Sequence, residues 1–188
     1  MPASAPELVN AAREGDLDAR AQLVDVWLPV VLRWCRCLSG PDVDPEDAAH
    51  DVLVLALTRM PALRDPTRFP AWLFGMTRRV LADRRRAKWL RRWLPEPLAE
   101  LVDPGDGPAR RYERDDVSMR VQAVLDALPQ PLREVLVLCD VEERTDVEAA
   151  ALLAVPVGTV KSRLHRARAR FSEAARQVGL APDDEGAP

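Results

Sequence analysis

The feature that most constrains the fold is a stretch rich in proline and glycine, Pro95 to Pro108, in the middle of the chain. Proline lacks the amide hydrogen that a helix interior needs, and glycine brings no side chain to a core. The stretch therefore predicts a domain boundary. We predict one domain over residues 1–94, a flexible acidic linker over 95–116, a second domain over 117–180 and a frayed tail over 181–188. Residues 1–6 are predicted to fray as well.

Apolar residues on both sides of the linker recur at the three- and four-residue spacing of a helix. Examples before the linker are Leu23, Val24, Trp27, Leu28, Val31, Leu32 and Cys35. Proline-containing breaks at 41–45 and 61–70 separate long helices, the last of them over about 71–90. Beyond the linker, Pro129 and Pro131 separate helices over 117–128 and 132–141. No segment alternates convincingly as a strand would, so the sequence predicts an all-α protein of two small helical domains.

Several classes of function are excluded by what the sequence lacks. No apolar run approaches the roughly 20 residues that span a bilayer, and the first residues lack a signal-peptide pattern, so we expect a cytoplasmic protein without membrane insertion. Cys35, Cys37 and Cys139, with two distant histidines, have no metal-site spacing, so we expect no metal and no cofactor. No paired nucleophile and base and no phosphate-binding loop appear, so we expect no enzyme.

Charge is distributed unevenly along a chain whose net charge is only -3. Residues 78–92 hold eight lysines and arginines against the single acid Asp83, and residues 161–170 hold five with no acid. Residues 41–51, by contrast, hold five acids and no basic residue. Basic stretches of this kind bind nucleic-acid phosphates, although a merely solvated helix face gives a similar pattern. The sequence thus offers two candidate DNA-binding segments.

The second basic segment lies within a predicted helix-turn-helix. Thr145 and Glu148 have the spacing of a capping box, which predicts a helix from Asp146 to about residue 154. Residues 155–158 then turn the chain, and Pro156 suits the first position of the next helix. Along that helix, one apolar stripe is predicted: Val160, Leu164, Ala167 and Phe171. A short helix, a tight turn and a longer basic helix together favour insertion into the major groove of DNA.

The sequence around these features resembles a known family. Residues 127–138 (ALPQPLREVLVL) and 156–168 (PVGTVKSRLHRAR) are similar to region 4 of extracytoplasmic function (ECF, group 4) sigma factors of the sigma-70 family. Residues 45–53 (PEDAAHDVL) resemble region 2.2 of the same family, and residues 69–73 (FPAWL) and 83–86 (DRRR) resemble regions 2.3 and 2.4. The likeness covers most of the chain.

The resemblance implies an alternative-type sigma factor that binds core RNA polymerase and directs promoter-specific transcription initiation without catalysis. It implies a region 2 bundle that docks on the clamp helices of the largest polymerase subunit and opens the minus-10 element. It also implies a region 4 helix-turn-helix that reads the minus-35 element as duplex and meets the flap of the second-largest subunit. The implied partners are core polymerase, promoter DNA and an anti-sigma factor.

The resemblance also assigns roles to individual residues. The implied minus-35 contacts in region 4 are Thr159, Lys161, Ser162, Arg163, His165, Arg166, Arg168 and Arg170. The implied minus-10 contacts in region 2 are Arg78, Arg79, Arg84, Arg85, Arg86 and Lys88. The implied polymerase contacts are Glu46, Asp47, His50 and Asp51.

Some of these assignments have alternatives. His165 could be an ordinary solvated residue, and Asp47 and Asp51 could be simple helix N-terminal acids. Phe69 and Trp72 could stack on bases, but their spacing favours a buried stripe. Arg79 departs from the family pattern, because many members have an asparagine there that helps capture an unstacked base.

Two other functions compete with the sigma-factor interpretation: a DNA-binding regulator that never contacts polymerase, and a protein-binding module whose basic helix meets an acidic partner. The acidic segment at 46–51 together with the pattern over 69–86 favours the sigma factor, because a plain regulator has no use for both.

Overall fold

A computed structural model describes residues 6–91 and 116–180 of the chain. Within these ranges every regular element is a helix and no strand occurs, which confirms the all-α prediction. The chain divides into two compact units, residues 1–109 and 110–188. The predicted tail and all of the predicted linker except Asp116 lie outside the described residues, so the domain bounds stay a prediction.

The described part of the first unit, residues 6–91, contains four α-helices. They are α1 (Pro6–Glu14), α2 (Leu17–Leu38), α3 (Pro45–Arg59) and α4 (Phe69–Arg91), with single 3-10 turns at Met60–Ala62 and Pro66–Arg68 between α3 and α4. The structure adds α1 to the predicted helices, and α1 begins at Pro6, a residue predicted to fray. Helix α4 begins at Phe69, two residues before the predicted start, because Asp65 and the 3-10 turn lead directly into it.

Acidic caps set where α2 and α3 begin. The Asp16 carboxylate accepts hydrogen bonds from the amides of Asp18 and Ala19, at 2.9 and 3.0 Å. The Asp44 carboxylate does the same for Glu46 and Asp47, at 2.8 and 3.1 Å. Such caps satisfy amides that have no partner inside the helix, each stabilising it by about 1 kcal/mol. The cap at Asp44 fixes the first turn of α3, where the predicted polymerase contacts lie.

An aromatic cluster forms the core of this unit. Trp27 and Trp34 of α2 are fully buried. The Phe69 ring packs edge-on against Trp27 with centroids 5.5 Å apart, and Phe74 packs edge-on against Trp34 at 4.9 Å. Trp72 is half-buried beside Phe69. Phe69 therefore packs in the core, as its spacing favoured, and the edge-on geometry is the arrangement that aromatic rings prefer.

In the second unit, four further α-helices lie within the described residues 116–180. They are α5 (Asp116–Ala127), α6 (Gln130–Leu136), α7 (Asp146–Leu153) and α8 (Val157–Gln177), and a π-helical turn, Val137–Val141, follows α6 directly. The predicted helix over 132–141 thus starts two residues early, because Pro131 fits its first turn, and its end widens into the π turn. The Glu142 amide closes that turn on the Val137 carbonyl at 2.9 Å.

Candidate nucleic-acid and polymerase interfaces

The predicted capping box at the start of α7 is present. The Thr145 hydroxyl accepts a hydrogen bond from the Glu148 amide at 3.3 Å, and the Glu148 carboxylate accepts one from the Thr145 amide at 2.9 Å. The Thr145 hydroxyl and Arg144 also donate to that carboxylate, each at 2.8 Å. These bonds, led by the one from the Thr145 amide, lower the pKa of Glu148 to about 2. The capping box therefore stabilises the first turn of α7.

A short turn then reorients the chain into α8. Ala154 has a left-handed backbone (φ 54°), and its amide donates to the Ala150 carbonyl. Pro156 has an extended conformation and is the N-cap residue, so α8 begins at Val157 and not at the predicted Pro156. Val160, Leu164 and Ala167 are buried, and Phe171 is half-buried. This inward stripe holds α8 against its unit and leaves its other faces to solvent.

The outward faces of α8 carry the residues predicted to contact DNA. Lys161, Ser162, His165 and Arg166 are exposed and lie on one side of the helix, because positions four residues apart share a face. Thr159 and Arg163 are half-buried, whereas Arg168 and Arg170 are exposed. The structure therefore brings four donor-bearing side chains together at the N-terminal half of a helix that its buried stripe holds in place.

Within this set, Arg168 has a partner that the sequence did not reveal. Its guanidinium donates to both oxygens of Asp140 in the π turn, at 2.6 and 3.0 Å. The hydrogen bonding to Asp140 raises the pKa of Arg168 above its usual value. The pair links α8 to the π turn, and only the tertiary structure brings residues 28 positions apart together.

The six basic residues predicted on α4 divide into two groups. Arg79 and Arg86 are exposed and Arg78 is half-buried. The side chains of the second group, Arg84, Arg85 and Lys88, reach back to α2, α3 and the loop between them.

The second group contacts both charged and main-chain oxygens. Arg84 donates to the Asp51 carboxylate from its Nε at 3.0 Å, and its Nη2 forms a shorter bond to the same oxygen. Arg85 donates to the Leu38 carbonyl at 2.7 Å, and Lys88 donates to the Asp42 carbonyl. Leu38 is the last residue of α2, whose terminal carbonyls have no partner inside the helix. These contacts fasten α4 to the α2–α3 connection.

The acids predicted to contact polymerase lie on the first two turns of α3. Asp47, His50 and Asp51 are exposed and Glu46 is half-buried. Arg36 forms an exposed ion pair with Glu46 at 3.4 Å. Because Arg84 pairs with Asp51, the predicted DNA-binding and polymerase-binding sets of this unit touch each other, a contact that the sequence did not indicate.

Comparison with known proteins identifies the chain. The model for sigma-70 region 2 matches residues 23–91, and the model for sigma-70 region 4 matches residues 118–171. The ECF RNA polymerase sigma factor SigD of Mycobacterium tuberculosis strain H37Rv is 31% identical over 172 residues, which cover 88% of this chain and 81% of that protein. This chain belongs to the sigma-70 family as an ECF sigma factor.

Further relatives support the same identification over most of the chain. SigW of Bacillus subtilis strain 168, another ECF sigma factor, is 27% identical over 169 residues, 85% of this chain and 90% of that protein. Among solved structures, CnrH in complex with the cytosolic domain of CnrY matches with a TM-score of 0.68 and 27% identity, covering 93% of this chain and 98% of that one. The sigma factor RpoE from Bartonella quintana, in complex with the anti-sigma factor NepR, shares the fold with a TM-score of 0.63 and 24% identity, covering 83% and 96%.

The function follows from the family. This sigma factor binds core RNA polymerase and directs promoter-specific transcription initiation, and its family consists of non-enzymatic initiation factors. The first unit holds region 2, and the second holds region 4. None of the helices that the structure describes is both long and apolar enough to cross a membrane.

Proposed function

We propose that this sigma factor reads the minus-35 element through Lys161, Ser162, His165 and Arg166 on α8. The observation that carries this proposal is their position on one exposed side of α8, opposite its buried stripe. Duplex DNA presents its sequence as donors and acceptors on the major-groove edge, which an α-helix can enter. Lysine and arginine suit guanine there, and serine suits several bases. Thr159, Arg163, Arg168 and Arg170 flank this side and suit the phosphates.

In region 2 we assign the minus-10 contacts first to Arg79 and Arg86, which are exposed on α4, and with them to the half-buried Arg78. All three lie along the helix that the family uses for promoter opening. Opening requires basic groups along the displaced strand, because its phosphates remain charged when its bases leave the stack. Arg84, Arg85 and Lys88 lie beside this surface, and their bonds to α2, α3 and the connecting loop support its shape.

The acidic face of α3 is the proposed docking surface for the polymerase clamp helices. Asp47 and Asp51 lie one helical turn apart on this face, with Glu46 and His50 beside them; both are exposed, and the Asp51 carboxylate also accepts from Arg84. Charge complementarity of this kind steers association and rejects wrong partners. Region 4 would meet the polymerase flap, as in the family.

Three further assignments complete the proposal. CnrH, a structural relative, is described in complex with the cytosolic domain of CnrY, and we propose that this chain likewise has an anti-sigma partner. The chain itself catalyses no reaction, because its role is to position polymerase on DNA. It acts in the cytoplasm, where a bacterial polymerase meets its promoters.

Run-off transcription with core polymerase of the source bacterium and fragmented genomic DNA tests this function. New position-specific transcripts that require the protein support it, and their upstream sequences supply both promoter elements. If the protein instead retards specific duplex DNA in a gel while polymerase makes no promoter-specific transcript, it is a DNA-binding regulator that does not act with polymerase.

Three substitutions then test the residue assignments. Lys161→Ala or Arg166→Ala should reduce promoter-specific transcription about 5- to 150-fold, since a base contact contributes about 1–3 kcal/mol. Arg176→Ala, which removes the same charge about 22 Å beyond Lys161 and about 15 Å beyond Arg166 along α8, is the control. Asp47→Arg should abolish binding to core polymerase while helicity is unchanged, and Asp25→Arg on α2 controls for charge. Unchanged transcription with Lys161→Ala, Arg166→Ala and Asp47→Arg would refute the assignments.

A further inference from the structure

Helix α4 presents a tryptophan to solvent near its C-terminal end. The Trp89 side chain is 59% exposed, whereas Trp27 and Trp34 of the same unit are fully buried. Trp89 lies three residues after the exposed Arg86 and ten after the exposed Arg79, so the three residues form one outward stripe about 15 Å long. Basic side chains beside an exposed aromatic ring suit a ligand that is both negatively charged and flat.

A hollow lies next to this stripe. It measures about 430 Å³ and is lined, among the described residues, by Asp42, Arg85, Arg86 and Trp89. Two hydrogen bonds hold residues of its lining in place. Arg85 donates to the Leu38 carbonyl at 2.7 Å, and Lys88 donates to the Asp42 carbonyl. A preformed hollow loses little conformational entropy when it binds a ligand.

The chemistry of the stripe matches an unpaired nucleic-acid strand. Such strands are bound by a basic surface that follows the phosphates and by aromatic rings on which bases stack. Arg79 and Arg86 supply the charge, and Trp89 supplies the ring. Among the described residues that line the hollow, the two arginines outnumber Asp42, and this balance favours an anion.

We infer that Trp89 stacks on a base of the displaced promoter strand, with Arg79 and Arg86 on the neighbouring phosphates. The inference rests on the proposed function, since the strand becomes available only when region 2 opens the promoter. It adds a base contact beyond the residues at which the family pattern places minus-10 recognition. Trp89 thus helps to hold the promoter open, in addition to being part of the last turn of α4.

The test uses holoenzyme made with the wild type, Trp89→Ala, Trp89→Phe and Leu90→Ala. Leu90 is the matched control, because it is the next residue, is apolar and is 41% exposed. The templates are a promoter found by run-off transcription, fully duplex, and the same promoter with a mismatched bubble across the minus-10 element. Binding to core polymerase is measured for each variant by native gel shift.

Stacking predicts that Trp89→Ala reduces open-complex formation on the duplex about tenfold, which corresponds to about 1.4 kcal/mol and lies within the range for one stacked base. Trp89→Phe should retain most of the activity because it keeps a ring, and Leu90→Ala should match the wild type. The bubble template should lose affinity with Trp89→Ala as well, since stacking on the open strand persists there.

Three outcomes would overturn the inference. Equal activity of Trp89→Ala and the wild type would show that no base stacks there, while the sigma function would stand. A loss of core-polymerase binding in Trp89→Ala would show that the ring faces a protein. A wild-type holoenzyme that produces no promoter-specific transcripts would refute the proposed function itself, and with it this inference.

Discussion

The buried ion pair between Arg133 and Asp126 joins two helices of region 4. Their side chains are only 7% and 16% exposed. The Arg133 guanidinium donates to the Asp126 carboxylate at 2.9 Å, to the Asp126 carbonyl at 2.7 Å and to the Leu128 carbonyl at 3.4 Å. It thereby fastens the end of α5 to α6. Replacement by methionine keeps a long side chain but removes all three bonds.

Removing one partner of a buried pair costs about 3–5 kcal/mol, because the other charge stays buried. Asp126 keeps a hydrogen bond from Gln122 at 3.1 Å and some solvent exposure, so we expect Arg133→Met to cost about 3 kcal/mol, at the lower end of that range. In a domain of this size each kcal/mol changes the melting temperature by about 4–8 °C, so region 4 should melt about 12–24 °C lower.

The sequence provides a domain-specific assay for this change. The five tryptophans are at positions 27, 34, 72, 89 and 93, and none lies in the region 4 match at 118–171, so their fluorescence does not report region 4. Circular dichroism reports the helices of both units. Arg133→Met should lower the melting temperature of one unfolding transition seen by circular dichroism, and it should leave the melting temperature seen by fluorescence unchanged. A decrease of less than about 5 °C would refute the reasoning, and an equal decrease by both probes would show that the units do not unfold independently.

Two further predictions concern the capping box and a thiol. Glu148 has a folded-state pKa of about 2, below its ordinary 4.5, so the stability it adds is full above about pH 4.5 and is lost as the pH falls toward 2. Glutamine keeps the capping-box hydrogen bond and removes only the charge, so Glu148→Gln should destabilise region 4 by about 0.3–1 kcal/mol at pH 7 and by progressively less below pH 4.5, as measured by circular dichroism melts. A constant difference would contradict this. Burial raises the pKa of Cys35 to about 12, so its thiol stays protonated and should react with a disulfide reagent at pH 8 only after unfolding. A Cys35→Ala variant that loses one reactive thiol in the native state would contradict this.

Local signals predicted the local structure well. The spacing of Thr145 and Glu148 predicted the capping box, and the stripe of Val160, Leu164 and Ala167 predicted the buried side of α8, because both depend only on residues three to seven positions apart. The start of α8 was wrong by one residue. Proline suits either the cap position or the first position of a helix. The tertiary packing of the turn decides between these two positions, and it makes Pro156 the cap residue.

The sequence by itself determined that this protein is helical, that proline-rich chain separates two helical regions, and which family it resembles, because periodicity, helix breakers and motifs are properties of neighbouring residues. Only the tertiary structure decided which charges face outward. Arg84 meets Asp51 across 33 positions, Arg85 meets Leu38 across 47, and Arg168 meets Asp140 across 28. Trp89, in the same basic stretch, remains at the surface. A run of arginines reads alike in sequence whether it holds helices together or binds DNA, since the distinction depends on which distant oxygens packing brings within hydrogen-bond distance.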